Sequence, residues 1–366
     1  MYQAVHLTSV HSAFDTRIYH KECRSLAEAG YEIHFIAPAA LDKVENGVNL
    51  HGVTKVNSSR LSRMTKTVWA VYQKAININA KVYHFHDPEL IPLGLLLKTQ
   101  GKKVIYDVHE DVPKDILDKT WIAKPFRQTV AWIIKKLEDF AAEYFDAVVA
   151  ATPFICDRFS KLDCHAVNVN NYPILSELHL PEVDWLQKER AVCYVGGIND
   201  IRGIQEMIEA VGKTDAKLLL AGEFSDASQY SQAITMPSWS QVQELGQLNR
   251  IEVAQTLARA MAGLVVFHPK LNHINAQPNK MFEYMSAGIP VIASNFPLWQ
   301  EIVEGNNCGI CVDPLNPTAI AEAIQSIVDH PSEAKRMGEN ARKAVEKKYN
   351  WEKESEGLIK LYQDLL

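Results

Sequence analysis

Apolar and polar positions alternate along the chain with two periodicities, one typical of strands and the other of helices. Apolar runs that fit buried strands occupy 4–9, 31–38, 81–87, 102–110 and 146–153. Helical spacing occupies segments between them, notably 17–30, 88–101 and 115–145. This alternation predicts an α/β fold with a parallel sheet and helices on both faces, in which ligands bind beyond the carboxyl ends of the strands.

A polar stretch with two prolines interrupts the alternation and predicts a linker at 171–188. The pattern then starts again, with strands expected at 192–198, 216–223 and 264–269 and helices at 205–213, 252–263, 316–331 and from 332 onwards. We therefore predict an N-terminal domain over 1–170, a second doubly wound domain over 189–345 and a final helix over 346–366. Two similar α/β domains in tandem would leave a cleft between them.

The length and composition are those of a soluble globular protein. A chain of 366 residues suits two domains, and its 47% apolar and 22% charged residues are ordinary values. The net charge of −6 argues against a nucleic-acid partner, because such binding needs a positive field. No run reaches about 18 apolar residues, and the N-terminus lacks the features of a signal peptide. We expect neither a transmembrane helix nor a leader.

Six scattered cysteines indicate a reduced, cytoplasmic setting, because no disulfide framework spacing connects them. Cys308 and Cys311 form a C-x-x-C, but a zinc site needs four ligands and no second pair lies nearby. We interpret both as small core residues. The chain also lacks a GxGxxG and a GxxxxGK[ST] motif, so generic dinucleotide-binding and NTPase functions lose support.

A carboxylate in an otherwise apolar helix marks the segment PNKMFEYMSAGIPVIASNFP at 278–297. Pro278 suits the first turn of the helix, and Gly288 can end it in a left-handed conformation. The free N–H groups of a helix N-terminus attract anions, and Glu283, one turn deeper, could accept hydrogen bonds from sugar hydroxyls. The alternative is that Glu283 is a solvated residue on a surface helix.

This segment, with the following EIV and CVDP, resembles the C-terminal signature of the GT-B glycosyltransferases of family GT4. That signature has a Glu, seven residues, a second Glu and then A-x-G-x-P-V-I-A. Glu283 matches the second Glu, which in the family holds the ribose of the nucleotide sugar. Asn275 stands where the first Glu contacts the donor sugar, and an amide can bond a hydroxyl but carries no charge.

The stretch YVGGINDIRGIQEMIEAV at 194–211 is similar to the family segment whose Arg and Lys grip the diphosphate. Arg202 matches the Lys, whereas Gly197 replaces the Arg; the alternative for Arg202 is an exposed residue at a helix start. We infer that Lys280 supplies the missing cation. The donor-binding residues implied are Gly196, Gly197, Gly222, Asn275, Asn279 and Glu283.

Two further family-like motifs lie in the N-terminal half. YDVHEDVP at 106–113 resembles the landmark whose His, here His109, contacts the donor sugar and the reacting region. HFHDPEL at 84–90 is also similar, and we interpret His86, Asp87 and Glu89 mainly as packing and loop-shaping residues, with acceptor contact as the alternative for His86. Asp15 and Arg17 lie at a strand–helix junction, where acceptor or phosphate contacts are expected.

The resemblance covers nearly the whole chain and implies a GT-B fold, with the final helix crossing back to the first domain. It implies a retaining, metal-independent enzyme of the hexosyltransferase type, without a cofactor. The donor would be a nucleotide diphosphate sugar, expected to be UDP-linked, and the acceptor a hydroxyl of a glycan or lipid-linked molecule. Cell-surface polysaccharide or glycolipid assembly is the expected setting.

Two other functions remain open. A GT-B nucleotide-sugar epimerase would use similar contacts, and a catalytically silent sugar-nucleotide-binding or scaffolding protein is favoured by Gly197 and Asn275.

Residues 121–140 combine aromatic and aliphatic side chains with Lys124, Arg127, Lys135 and Lys136. Aromatics beside cations suit the surface of an anionic membrane, so this segment predicts peripheral association with the inner face of the cell membrane. The alternative is a helix whose apolar side, with Trp132, Ile133 and Leu137, packs on the sheet.

Overall fold

The computed structural model describes residues 2–38, 41–54, 63–119, 122–178, 180 and 185–366. The chain separates into two compact units. The first unit is Met1–Asn171 together with Lys353–Leu366, and the second unit is Tyr172–Glu352. Each unit holds a largely parallel sheet, so the predicted α/β class with two parallel-sheet domains is confirmed.

The first unit contains an eight-stranded sheet in the order β3-β4-β2-β1-β5-β6-β7-β8. The strands are β1 (Gln3–Leu7), β2 (Glu32–Pro38), β3 (Lys43–Glu45), β4 (Val48–Val53), β5 (Val82–Phe85), β6 (Lys103–Val108), β7 (Ala147–Ala150) and β8 (Ala166–Asn168). Among the described strands of this sheet, only the β3–β4 pair is antiparallel.

The helices of the first unit connect these strands. They are α1 (π-helical over Ile18–Cys23, then Arg24–Glu28), α2 (Arg63–Thr67 and Val68–Ile78), α3 (Pro88–Leu90 and Ile91–Thr99), α4 (Val112–Asp118), α5 (Lys124–Tyr144) and α6 (Pro153–Phe159). The sequence pattern predicted α1 and α3, and it merged α4 and α5 into one helical region. It missed α2, β3 and β4, which lie in the stretch between the second and third predicted strands.

The second unit contains a six-stranded parallel sheet in the order β11-β10-β9-β12-β13-β14. The strands are β9 (Ala191–Val195), β10 (Lys217–Ala221), β11 (Val242–Gly246), β12 (Ala262–Val265), β13 (Val291–Ser294) and β14 (Gly309–Val312). The helices are α7 (Ile204–Val211), α8 (Ala227–Ile234), α9 (Arg250–Arg259), α10 (Leu271–Ile274), α11 (Asn279–Ser286), α12 (Pro297–Val303), α13 (Pro317–Asp329) and α14 (Pro331–Lys347).

The last helix, α15 (Trp351–Leu365), contributes most of its length to the first unit, which takes up the chain again at Lys353. Tyr362 of this helix is fully buried, and its hydroxyl lies 3.0 Å from ring nitrogens of both His6 on β1 and His84 on β5. Residues 172–178 of the predicted linker belong to the second unit.

One helix end was predicted wrongly. The pattern placed Gly263 at the end of a helix over 252–263, whereas α9 ends at Arg259 and Gly263 lies inside β12. A Cβ atom on Gly263 would lie 2.0 Å from the ring of Tyr284, so the glycine lets α11 pack closely against the strand. The predicted left-handed Gly288 is confirmed, with a φ of 75°.

All six cysteines are free thiols, and Cys308 is buried in the core of the second unit. No helix among the described residues is both long and apolar enough to cross a bilayer.

Both sheets reverse their strand order at one point. In the first unit the reversal lies between β1 and β5, and in the second between β9 and β12. Loops that leave adjacent strands in opposite directions create a crevice at such a point, which is where open parallel sheets bind ligands. The segments after these strands are therefore the expected ligand-binding positions of each unit.

Candidate active site

Two glycines shape the carboxyl ends of β9 and β10. Gly196 and Gly222 have φ values of 128° and 132°, in the region that favours glycine. A Cβ atom on Gly222 would lie 2.0 Å from the carbonyl oxygen of Gly196, so only glycine permits this close approach of the two turns. A cavity of about 480 Å³ opens here, lined by residues that include Gly197, Gly222 and Gln247.

Lys280, in the first turn of α11, is directed at the turn after β9. Its Nζ lies 3.6 Å from the ring centroid of Tyr194 and 5.3 Å from that of Phe267. The residue is only 9% exposed, and within the described parts of the chain its Nζ has no hydrogen-bond partner. Burial, followed by the charge of Arg202, holds the pKa of Lys280 well below its usual value.

Arg202 contacts the same turn. Its Nη1 donates a hydrogen bond of 3.0 Å to the carbonyl oxygen of Gly197, which also accepts a 2.7 Å bond from the hydroxyl of Tyr194. A Cβ atom on Gly197 would lie 2.7 Å from Nη1 of Arg202. The structure therefore brings together the two basic residues that the sequence analysis selected, Lys280 next to Gly196 and Arg202 next to Gly197.

Glu283 lies one turn after Lys280 and takes part in an ion-pair network. Its Oε1 accepts a 2.8 Å hydrogen bond from Nη1 of Arg250, and Nη2 of Arg250 donates a 2.6 Å bond to Glu177. The alternative of a solvated surface Glu is wrong, because the side chain is only 16% exposed and is paired. Met281, Phe282 and Met285 of the same helix are buried in the core.

Sequence reasoning missed Arg250, although a signal was present. Asn249 and Glu252 form a reciprocal capping box that begins α9, and Arg250 is the first helical residue after the cap. The N-x-x-E pattern of this box predicts a helix start at 250 rather than 252. It does not predict that Arg250 bonds Glu283, since the two residues come from different segments.

Asn275 and Asn279 lie on the connection that leads into α11. Asn275 follows the last residue of α10 and Asn279 is the first residue of α11, and both side chains are half-buried. The helix starts after Pro278 without a side-chain cap, which leaves its first N–H groups available for an anion. The donor contacts of Asn275 and Asn279 stay predictions.

In the first unit, two histidines selected from the sequence, His86 and His109, contact the carboxylate of Asp107. Nδ1 of His86 and Nε2 of His109 lie 3.1 Å and 3.2 Å from Oδ2 of Asp107, and 3.2 Å from each other. Burial lowers the pKa of His86 to about 4, so its imidazole is neutral at pH 7. His109 is the more accessible of the two histidines, and its predicted contact with the donor stays a prediction.

The predicted contact of Arg17 with an acceptor or phosphate is not supported by its position. Its guanidinium is buried and donates two bonds, of 3.0 Å and 2.9 Å, to the two oxygens of Asp107 and a third to the carbonyl of Val169. Burial alone would raise the pKa of Asp107, but the charge of Arg17 and the contacts with His109 and His86 together outweigh it, and the pKa lies well below its usual range. Arg17 therefore stabilises the domain.

His86 is also too buried to offer a surface to an acceptor, and this supports the packing role over the contact role. Asp87 and Glu89 shape the neighbouring loop, because both accept hydrogen bonds from Ser9. Asp15 accepts bonds from the N–H groups of Arg17 and Ile18 and so orders the start of α1. Its other oxygen lies 3.2 Å from Nδ1 of His11, and its acceptor contact stays a prediction.

The chain matches two family descriptions that together cover most of its length. Residues 177–344 match Glycosyl transferases group 1, and residues 16–169 match Glycosyltransferase Family 4. The fold and these matches define the class of GT-B glycosyltransferases. The chain belongs to family GT4 of that class and is a glycosyltransferase.

A curated relative is N-acetyl-alpha-D-glucosaminyl L-malate synthase of Bacillus anthracis, which is 24% identical over 94% of this chain and 92% of its own length. Sucrose-phosphate synthase of Thermosynechococcus elongatus has the same fold, with a TM-score of 0.80 and 18% identity over 100% of this chain and 99% of that one. The Anabaena protein Alr3699/HepE, solved with UDP and glucose, gives a TM-score of 0.73 at 14% identity, with both chains fully covered.

The burial of Lys280 leads to a prediction about stability. In the unfolded chain Lys280 is charged up to about pH 10.4, whereas its lowered pKa makes charging costly in the folded protein. The cost, about 1.4 kcal/mol per unit of pKa lowering, is full below the folded pKa and disappears as the pH rises towards 10.4. We expect Lys280→Met to raise the free energy of unfolding at pH 7, by a margin that shrinks with rising pH.

Lys188→Met is the matched control, because Lys188 is a half-buried lysine of the second unit, with a pKa lowered to about 8 by desolvation. Its Nζ donates bonds of 2.7 Å and 2.8 Å to the carbonyls of Ala258 and Ala260. Removing it leaves these carbonyls unpaired, so this variant should be less stable than the parent. Denaturant titrations between pH 6 and pH 10 provide the measurement, and destabilisation by Lys280→Met throughout that range would contradict the prediction.

Proposed function

We propose that this glycosyltransferase moves a sugar from a nucleotide diphosphate donor, a UDP-sugar, to a hydroxyl of a glycan or lipid-linked acceptor. The observation that carries the proposal is Lys280, a buried amine without a hydrogen-bond partner among the described residues, placed with Arg202 at a glycine turn. A diphosphate would provide the partner that Lys280 lacks. The UDP bound by the Anabaena protein of the same fold supports the choice of nucleotide.

The reaction that fits these residues retains the configuration of the sugar and uses neither a metal at the diphosphate nor a cofactor. The bond between the anomeric carbon and the diphosphate oxygen breaks, and a bond from that carbon to the acceptor oxygen forms on the same face. The departing diphosphate takes the acceptor proton. Lys280, Arg202 and the first N–H groups of α11 would stabilise the charge that develops on the leaving group.

Glu283 would bind the ribose hydroxyls with its carboxylate, and Arg250 would hold that carboxylate in place through the 2.8 Å bond. His109 and Asp15 are proposed to face the donor sugar and the acceptor. The setting we propose is the assembly of cell-surface polysaccharide or glycolipid in the cytoplasm.

The test is a panel of UDP-, GDP- and ADP-sugars, with release of nucleoside diphosphate measured in the presence and absence of acceptor sugars. We expect release from a UDP-sugar that depends on acceptor, and strongly reduced turnover for Arg202→Ala. Isomerisation of the donor sugar would indicate the epimerase instead. Binding of UDP without any turnover would indicate a catalytically silent protein.

Glu283→Gln should weaken UDP binding by about 1.5–3 kcal/mol, because a neutral amide replaces a carboxylate that accepts bonds from two hydroxyls. Isothermal titration calorimetry measures the change. Glu177→Gln is the matched control, since it also removes a carboxylate from Arg250 but has no counterpart in the ribose-binding motif. Equal losses in both variants would show that Glu283 acts only through the ion-pair network.

We further propose that α5 brings the enzyme to an anionic membrane surface. Phe126, Ile133, Leu137, Phe140 and Tyr144 follow one another at helical spacing along one side of α5, and all are exposed. We call these five residues the apolar stripe. Within the first unit the stripe is not part of the core. The alternative that Trp132, Ile133 and Leu137 pack on the sheet is wrong, because these side chains are 61%, 50% and 38% exposed.

Two of the four cations in this segment have other partners. Arg127 donates hydrogen bonds to the carbonyls of Ile122 and Leu117, and Lys135 pairs with Asp139 in the same helix. Lys124 and Lys136 therefore carry the proposed attraction to anionic lipid, which contributes about 1 kcal/mol per cation near the surface. Trp121, an aromatic residue at the start of the 121–140 segment, lies outside the described residues.

Co-sedimentation with vesicles that contain anionic lipid tests this proposal. The parent should bind at low salt, and a Phe126→Ser/Ile133→Ser/Phe140→Ser variant should not, because the apolar area that enters the interface is lost. Trp69→Ser is the control, since Trp69 is an exposed aromatic residue of α2 in the same unit. Binding that persists unchanged when Lys124 and Lys136 are both neutralised would rule out the electrostatic part.

A further inference from the structure

Three histidines and one glutamate form a buried group in the first unit, which we call the histidine cluster: His6, His84, His86 and Glu22. His6 and His84 are register partners on the adjacent parallel strands β1 and β5. His86 follows His84 by two residues, which keeps its side chain on the same face of the sheet, and Glu22 reaches that face from α1. The four residues are between 0% and 3% exposed.

The spacing of the cluster matches the dimensions of a metal site. Each of the four side chains brings one ligand atom within 4.8 Å of the others. Nδ1 of His6 lies 2.9 Å from Nε2 of His86, and each of these nitrogens lies 3.9 Å from Oε2 of Glu22. A point in the plane of this triangle is about 2 Å from all three atoms, which is the length of a Zn–N or Zn–O bond.

In each histidine of the cluster, one ring nitrogen contacts a residue outside the cluster, and the other ring nitrogen lies among the four ligand atoms. Nδ1 of His86 contacts Asp107, while Nε2 of His6 and Nδ1 of His84 both contact the hydroxyl of Tyr362. If these nitrogens carry the protons, the remaining nitrogen of each ring has a free lone pair. Metal-binding histidines in proteins are oriented by this kind of second contact.

Several interior atoms of the cluster lack hydrogen bonds. Neither carboxylate oxygen of Glu22 nor Nε2 of His84 has a hydrogen-bond partner in the described part of the chain, and all three atoms are buried. Nε of Arg17 lies 2.9 Å from Oε1 of Glu22, but its hydrogen is directed at Asp107. Buried polar atoms without partners are costly, so a ligand that satisfies them would stabilise the fold.

We propose that the histidine cluster binds one divalent transition-metal ion, with zinc the best match to three imidazoles and one carboxylate. Four protein ligands would fill the positions of a tetrahedral ion and leave none for a substrate, which is typical of a structural site rather than a catalytic one. The ion would fasten β1 and β5 to α1 and, through Tyr362, to α15. The role we propose for the ion is structural, because all four ligands are buried side chains of the first unit.

The direct test is the metal content of the purified full-length protein, prepared from zinc-supplemented medium without an affinity tag that binds metal. We expect about one zinc per chain, and a content close to zero for Glu22→Gln. The matched control is His34→Gln, since His34 and His51 form another His–His contact of 2.9 Å in the same unit. This control should keep its zinc.

Two measurements on the unaltered protein apply even if the variants fold poorly. Removal of zinc with a strong chelator should lower the melting temperature, and added zinc should restore it. Cobalt added to the stripped protein should give the visible absorption of a tetrahedral Co²⁺ ion. Tyr362→Phe, which keeps the ring but removes the outer contact of two histidines, should weaken zinc binding by about 10–100-fold.

A protein without zinc, without a cobalt spectrum and with the same melting temperature before and after the chelator would overturn the proposal. In that case Glu22 is protonated in the folded protein, because burial raises the pKa of its carboxyl well above the usual value. Glu22→Gln would then leave stability unchanged, since an amide imitates the neutral acid.

Discussion

The buried pair of Arg17 and Asp107 is the interaction on which the first unit depends. Arg17 immediately precedes α1 and Asp107 lies on β6, and both side chains of this doubly hydrogen-bonded pair are buried away from water. Removing one partner of such a pair costs about 3–5 kcal/mol, because it leaves an uncompensated buried charge. Asp107 in turn orients His86 and His109, so the same pair fixes the polar centre at the ends of the central strands.

In the second unit, by contrast, a buried basic side chain has no hydrogen-bonded carboxylate partner among the residues that the structure describes. Lys280 is held among Tyr194, Phe267 and a glycine turn, with aromatic faces instead of a carboxylate beside its nitrogen. Charging Lys280 in this environment is costly for the folded protein, and a bound polyanion would offset that cost. In the function that we propose, Lys280 of α11 supplies the second cation at this turn, where Gly197 stands in place of the arginine that the family resemblance implies.

Local patterns predicted the features that depend on neighbours in sequence. The alternation of strands and helices, the helix around Glu283 and the turn at Gly288 follow from periodicity, a proline at one end and a glycine at the other. The Arg250–Glu283 bond and the histidine cluster could not be predicted, since each joins segments that only the strand order and register bring together. Gly263 was misplaced because a glycine after an amphipathic run is typical of a helix end, whereas here it leaves room for Tyr284.

The position of Tyr362 has a consequence for the order of folding during synthesis. The second unit is continuous in sequence, so all of it is translated before the final helix appears. Until then His6 and His84 lack the hydroxyl that both contact, and the first unit lacks a buried part of its structure. The usual rule that the N-terminal domain is completed first therefore does not hold here, because the first unit is complete only once α15 has been made.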